Sequence, residues 1–289
     1  MKFEVIEAEK ATIPIARACA ILKVSESGFY AWKDRGECAR KQRDSVLLRE
    51  IRTQFSASNE TYGSPRMTVE LNEDGFDVGR HRVARLMREN ALKALQRKRF
   101  KKTTDSDHGG PVAPNLLDQD FTTTAPNQKW GVDISYVWTN EGWLYLAIVL
   151  DLFSRRIVGW SVSDRMKKDL ALTALKRAIA VRRPSNYLLH HSDRGSQYCS
   201  DAYLKLLKDY GFTASMSGKG NCYDNSMVET VFKTIKAELI WRTVWRTRDQ
   251  AQAAIARYID GFYNPKRRHS ALGYKSPIQF ESHALKHAA

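Results

Sequence analysis

The chain has little cysteine, and what it has is scattered. Cys19, Cys38, Cys199 and Cys222 form no C-x-x-C pair, which argues against a zinc site or a disulfide framework and suits a reducing cytosol. No apolar run approaches the ~20 residues that span a bilayer. Acids interrupt the N-terminal MKFEVIEAEK, so neither a membrane segment nor a secretory leader is expected. No stretch repeats at a fixed period, which excludes solenoids and propellers. Negative charge is also short: 32 Asp and Glu stand against 47 Lys and Arg, a net charge of +15. These features suit a cytoplasmic protein with a polyanionic partner, nucleic acid before membrane.

The 289 residues, 43% hydrophobic with seven Trp, suffice for two or more domains with real cores. Residues 12–33 predict two short helices and a turn, with Ser25 as the second N-cap. Helix-turn-helix and plain helical hairpin both fit this segment, which occupies an expected N-terminal unit of 1–40. Residues 41–102 predict a basic helical domain. Its first helix, DSVLLREIRTQF, is capped by Asp44; a second restarts at Ser64-Pro65; a third runs through GRHRVARLMRENALKAL, with Val83, Leu86 and Met87 on one face. Between 80 and 102 stand ten Lys and Arg against one acid, Glu89. Arg82, Arg85, Arg88, Arg97, Lys98 and Arg99 therefore read as DNA contacts, with a solvated surface as the blander alternative. Residues 103–127, rich in Thr, Asp, Gly and Pro, read as a linker anchored at Leu116-Leu117.

From 128 the periodicity changes to that of strands. KWGVDISYVW, WLYLAIVLDLFS and RRIVGWSVS predict an antiparallel meander. MKKDLALTALKRAIAVRR, NYLLHHSD, SDAYLKLLKDYG, FTASMS and NSMVETVFKTIKAELI then alternate helix and strand. The order β-β-β-α-β-α-β-α is that of a ribonuclease-H-like α/β core over 128–245, with a mixed sheet covered on both faces. Residues 246–289 predict a helix and an extended basic segment, in which Arg267 and Arg268 read as further DNA contacts.

Three acids in this core stand out. Asp133 lies inside an apolar strand, where a buried carboxylate needs a partner. Asp193 closes the fourth strand before Arg194-Gly195-Ser196. Glu229 opens the last helix, and 229 − 193 = 36, so 35 residues separate it from Asp193. The fourth strand is expected beside the first, which would bring all three together. Three carboxylates with little else suit hard cations such as Mg²⁺ or Mn²⁺, and two such ions about 4 Å apart support both attacking and leaving oxygens in phosphoryl transfer. Lys233 and Lys236, at i+4 and i+7 from Glu229, would share its helix face and grip DNA. Taken singly, Asp193 is equally a turn cap and Glu229 an exposed helix residue. Asp151 competes as a ligand, but Ser154-Arg155-Arg156 offers it an ion pair. His190 and His191 divide between core and support of the site, and Asp224 and Asn225 shape the loop before the last helix.

The blocks WGVDISYV, GWLYLAIVLDLFSRRIVGWSVS, HHSDRGSQY, GNCYDNSMVETVFKTIKAEL and YIDGFYNPKRRHSALGYKSPIQF resemble, in order, those of bacterial insertion-sequence transposases. The resemblance is closest to the OrfB product of the IS-three family, whose core is similar to retroviral integrase. It extends to VSESGFYAW and YGSPRM and so covers nearly the whole chain. It implies a D-D-E triad at Asp133, Asp193 and Glu229, the further basic residue at Lys236, two Mg²⁺ or Mn²⁺ ions, and DNA cleavage and strand transfer at double-stranded element ends and target. Ser135 stands where Thr is more usual. The resemblance further implies a homo-oligomer on DNA and an upstream OrfA protein, or an OrfA–OrfB fusion, as partner. No sustained heptad repeat is present here, so a zipper arm is not expected in this chain. Rival readings are a metal nuclease that cuts without joining, a non-catalytic DNA-binding regulator, and an accessory subunit of a longer fused enzyme.

Overall fold

The two faces of the first strand carry different residues, and that alternation organises the molecule. The structure, a computed structural model, describes residues 2–36, 38–94, 111–218 and 223–288. β1 (Lys129–Thr139), β2 (Gly142–Asp151) and β3 (Ile157–Ser163) form the predicted antiparallel meander; β4 (Leu189–Ser192) and β5 (Thr213–Met216) join it in parallel, in the order β3-β2-β1-β4-β5. Trp130 and Val132 turn to one face. There they pack with Leu170, Ala174, Leu175 and Ala178 of α7 (Lys168–Arg182) and Tyr203 and Leu207 of α8 (Asp201–Asp209). Val137 turns to the other, where α9 (Ser226–Glu238) packs through Val228, Val231, Phe232 and Ile235. β2 is buried on both sides, which explains its nearly unbroken apolar run. α7 crosses β3 so closely that a Cβ at Gly159 would stand 2.3 Å from the Ala174 carbonyl oxygen.

Among the described residues, six helices lie before the sheet. α1 (Lys2–Glu9), α2 (Ile15–Leu22) and α3 (Glu26–Lys33) share a small core of Ile6, Ala18, Cys19 and Phe29. The Ser25 hydroxyl caps α3 by accepting the Gly28 N–H at 3.1 Å, as expected. α4 (Ala39–Ala57), α5 (Ser64–Glu73) and α6 (Arg80–Glu89) follow. α4 begins before Asp44, so Asp44 is not a cap. Its carboxylate accepts from Arg82 Nε at 2.7 Å and from Arg85 Nη2 at 2.6 Å, tying α4 to α6. The apolar faces of α4–α6, through Ile51, Met67, Leu71 and Val83, belong to the same core as Leu146, Ile148 and Tyr263. In the expected linker, Leu117 is buried and Leu116 exposed, and both backbone N–H groups donate to Ser215 Oγ.

The expected extended C-terminal segment is instead folded. α10 (Arg248–Tyr258) runs into a π turn at Ile259–Tyr263, and α11 (Pro277–Ala288) follows a 3-10 turn at Ser270–Leu272. Asn264 continues the pairing of β3 with its side chain, accepting the Ile157 N–H at 3.0 Å and donating to the Ile157 carbonyl at 2.9 Å. Arg267 and Arg268 are 2% and 4% exposed. Arg267 Nε donates to Glu238 at 2.7 Å, and Arg268 is bidentate to Glu73 at 2.6 and 2.8 Å and also paired with Glu70. Their reading as DNA contacts is therefore corrected: both guanidinium groups are occupied inside the protein. Among the described residues no helix is long and apolar enough to cross a membrane.

Candidate active site

The parallel pairing of β1 with β4 stops at Gly131 opposite His191. Beyond it the two strands part, leaving a crevice at their carboxyl ends, where the chain changes direction in the sheet order and where open α/β sheets place their ligands. Asp133 is two residues past Gly131 and Asp193 two residues past His191. The period of two puts Asp133 on the same face as Gly131, and Asp193 follows directly on the last residue of β4, so both acids belong to the crevice end of the sheet. Gly131 admits the third element: a Cβ there would lie 2.6 Å from Val228 Cγ2 and 3.7 Å from Asn225 Oδ1. The first turn of α9 thus rests on the bare backbone of β1, with Glu229 next to Val228. Asn225 at the start of α9 secures the contact, its Nδ2 donating to the Val132 carbonyl at 3.1 Å.

The three acids feel one another's charge. Burial holds the Asp133 carboxyl well above the usual carboxylate range, and the charges of Asp193 and Glu229 push it further up; the Ile134 N–H and the Lys236 ammonium act against this. Asp133 accepts the Ile134 N–H at 2.7 Å, and Asp193 the Gly195 N–H at 2.9 Å. All three acids are half-buried. Among the described residues, no three acidic, His or Cys side chains are gathered closely enough to ligate a metal. The donor chemistry nevertheless fits a hard cation. Like charges are concentrated with only oxygen donors, and the buried Tyr198 hydroxyl, which feels Asp133 and Asp193, has no hydrogen-bond partner among the described residues.

The two lysines part company. Lys233 Nζ pairs with Glu229 Oε2 at 3.1 Å and is exposed. Lys236 is only 9% exposed, its Nζ 4.7 Å from the Tyr136 ring centroid; burial lowers its pKa and the Asp133 charge opposes that. Lys236 is therefore turned inward between the acids and an aromatic ring and is not held out to solvent. Helical spacing gives the face of a residue but not its depth.

Asp151 accepts N–H groups from Asn127 at 2.8 Å and Phe153 at 3.0 Å and pairs with Arg182 at 3.3 Å. It is a buried structural acid, though its partner is Arg182 and not Arg155 or Arg156. His190 meets the Tyr203 hydroxyl at 3.0 Å, and His191 meets Ser215 and Ser217 at 2.9 and 3.1 Å. Burial lowers their pKa values to about 3 and about 4, so both are neutral near pH 7. Asp224 accepts from Gly218 N at 2.8 Å and Asn115 Nδ2 at 3.0 Å, closing the base of its loop. Away from the crevice, Arg82 and Arg85 are partly exposed but tied to Asp44, and Arg88 is exposed. Arg97, Lys98 and Arg99 lie outside the described residues. The sequence reading missed Gly131 and Tyr198. A glycine two residues before an acid in a strand does signal close backbone approach; Tyr198 carries no comparable mark.

Comparison with known proteins agrees. The integrase core domain family matches residues 123–222 and, in a second description, 210–277. Transposase InsF for insertion sequence IS3A of Escherichia coli is 42% identical over 291 residues, covering 99% of this chain and 100% of that protein. The chain belongs to the insertion-sequence transposases of the InsF type. The insertion element IS600 31 kDa protein of Shigella sonnei is 46% identical over 262 residues, 91% of this chain and 96% of its own. The HTH-like domain family matches residues 41–100, the stretch that holds α4–α6. Among solved structures, the HTLV-2 integrase catalytic core domain in complex with magnesium is similar over 54% of this chain and 97% of that one, at 16% identity and a TM-score of 0.42. With its five-stranded mixed sheet behind a helical region, the transposase has a ribonuclease-H-like core and is a polynucleotidyl transferase of DNA transposition and integration.

Proposed function

We propose that Asp133, Asp193 and Glu229 form one D-D-E centre that cuts DNA at an element's end and joins that end to a target. What supports this most is the electrostatic linkage of three acids carried by β1, the end of β4 and α9 around the end of a parallel strand pair, with ionisation of Asp133 opposed by burial and by the charges of the other two. Their oxygens would hold two Mg²⁺ or Mn²⁺ ions. When bound, such ions supply activation of a hydroxyl and charge neutralisation at the leaving oxygen. The protein's own contribution is placement. The Ile134 and Gly195 N–H groups orient Asp133 and Asp193, Lys233 must release Glu229, and Lys236 supplies positive charge beside Asp133. In cleavage, water oxygen bonds to phosphorus and the 3′-oxygen leaves with a proton. In joining, the oxygen of that 3′-hydroxyl bonds to a target phosphorus and displaces another 3′-oxygen, which leaves with the proton that the attacking hydroxyl gives up. Arg88, and the basic run through Arg97–Arg99, are the proposed backbone contacts, on DNA held by a homo-oligomer. An upstream OrfA protein or fusion would add end recognition in the cytoplasm.

The test is a strand-transfer assay with a labelled duplex bearing an element end, plasmid target and Mg²⁺ or Mn²⁺, beside Asp193→Asn. Joined product lost in the variant is expected. Metal-dependent joining that survives the substitution in folded protein would refute the triad, and cutting without joining would favour a nuclease.

A further inference from the structure

Next to the crevice the β1–β2 hairpin carries an aromatic group that no core requires. Trp138 and Trp143 stand directly opposite in the strand register and are 57% and 43% exposed. Their ring centroids are 4.8 Å apart at 74°, and Trp143 meets Tyr136 at 5.1 Å and 84°. Tyr136 in turn lies under Lys236, whose charge acts on Asp133. A continuous path thus leads from the acids through a cation and three rings to the hairpin tip, roughly 17 Å along the five residues from Asp133 to Trp138. Arg248 flanks the far end, its Nε donating to the Trp143 carbonyl at 3.1 Å, with Glu141 accepting the Arg248 N–H.

We propose that this aromatic step is a stacking platform for an unpaired base of the DNA strand, a few nucleotides from the reacting phosphate; it rests on the strand-transfer reading above. Edge-to-face rings leave indole faces open, and every base offers a π-face whatever its identity. Arg248 places positive charge beside the rings, as a flanking phosphate requires, and Lys236, buried against Tyr136, adds to the positive field from within. A second copy of the chain fits less well. At their observed exposures the two indoles present about 250 Å², against about 800 Å² per partner in a stable interface, and self-docking would set those cations against their own kind.

The test uses the full chain without metal, so that DNA is not cut. The probes are a blunt duplex and the same duplex with a five-nucleotide single-stranded tail, the tail carrying 2-aminopurine at each position in turn. The wild-type chain is expected to quench 2-aminopurine at one or two adjacent positions. Trp138→Ala and Trp143→Ala should lose that quenching and bind the tailed duplex about tenfold more weakly, a loss of the size that base–aromatic stacking supplies. The blunt duplex should be little affected, and Trp138→Phe should restore most of the difference. Unchanged quenching and affinity in both alanine variants would overturn the platform. So would a dimer, detected by sedimentation, that dissociates in Trp138→Ala while tail binding is unaltered; the patch would then join two copies. Joining by the same preparations with metal separates the two claims: intact joining without quenching sinks the platform alone, and quenching without any joining sinks only the strand-transfer reading.

Discussion

Asp133 concentrates the physics of the site. Burial and two neighbouring carboxylates oppose its ionisation, so without cations the folded chain binds a proton there more tightly than the unfolded chain does. Its folded pKa is raised, so its contribution favours folding as pH falls through that raised value. Replacing Asp193 by Asn removes one repelling charge. The expected result is a metal-free variant at least as heat-stable as wild type near pH 7, which Mn²⁺ no longer stabilises. A variant stabilised by Mn²⁺ as strongly as wild type in thermal melts would contradict this. The candidacy of Asp133 was legible in the sequence because an Asp inside an apolar strand is costly without a purpose, whereas Asp193 and Glu229, taken singly, read equally well as a turn cap and an exposed helix residue. The depth of Lys236 and the solitude of the Tyr198 hydroxyl were not legible, since both depend on what packs above them.

At the scale of elements, α9 carries Glu229 at one end and Glu238 at the other, so whatever holds Glu238 also aims the site. Burial pushes Glu238 up, yet hydrogen bonds and charge from Arg267, with Tyr258, bring it below its ordinary value. Arg267→Ala would strand a buried carboxylate and is expected to cost about 3–5 kcal/mol of stability, read by denaturant unfolding, with joining reduced in parallel. An unchanged stability together with weaker DNA binding would restore Arg267 to the surface role the sequence suggested. Glycines give a second contrast. Gly131→Ala meets a Val228 methyl that can shift, at about 1–3 kcal/mol, whereas Gly159→Ala meets the α7 backbone and should be the more damaging in the same unfolding measurement. The strands and most helices were readable from periodicity, and the place of β4 beside β1 from the topology that their succession implied. The C-terminal fold was not. Arg267 and Arg268 are paired with acids 29 and 195 or more positions away, and no local pattern distinguishes a buried basic pair from an exposed one.

For the whole molecule, pH acts mainly through groups remote from solvent. His190 and His191 have folded pKa values of about 3 and about 4 against 6.5 unfolded. A depressed histidine stays neutral in the fold while the unfolded chain takes up a proton, so stability is full above about 6.5 and falls as pH drops below it. The slope is on the order of 1 kcal/mol per pH unit for each histidine. NMR titration should show neither ring protonating between pH 8 and 5, and a ring titrating near 6.5 in the folded chain would refute their burial. The net charge of +15 is carried by helical and core regions alike, so DNA affinity should fall steeply with salt. Both the charge and its breadth were visible in the sequence. Where the helical region docks was not, because α4–α6 and the sheet share one core only after the chain has folded.

That acids from β1, β4 and α9 make a single cation site is tested most directly by counting bound Mn²⁺ by electron paramagnetic resonance, in the presence of element-end DNA. The wild-type chain would be set beside Asp133→Asn, Asp193→Asn and Glu229→Gln, each checked for folding. Two ions in the wild type, with binding weakened in every variant, is the expected result. Full Mn²⁺ binding in any one folded variant would remove that residue from the site and contradict the triad.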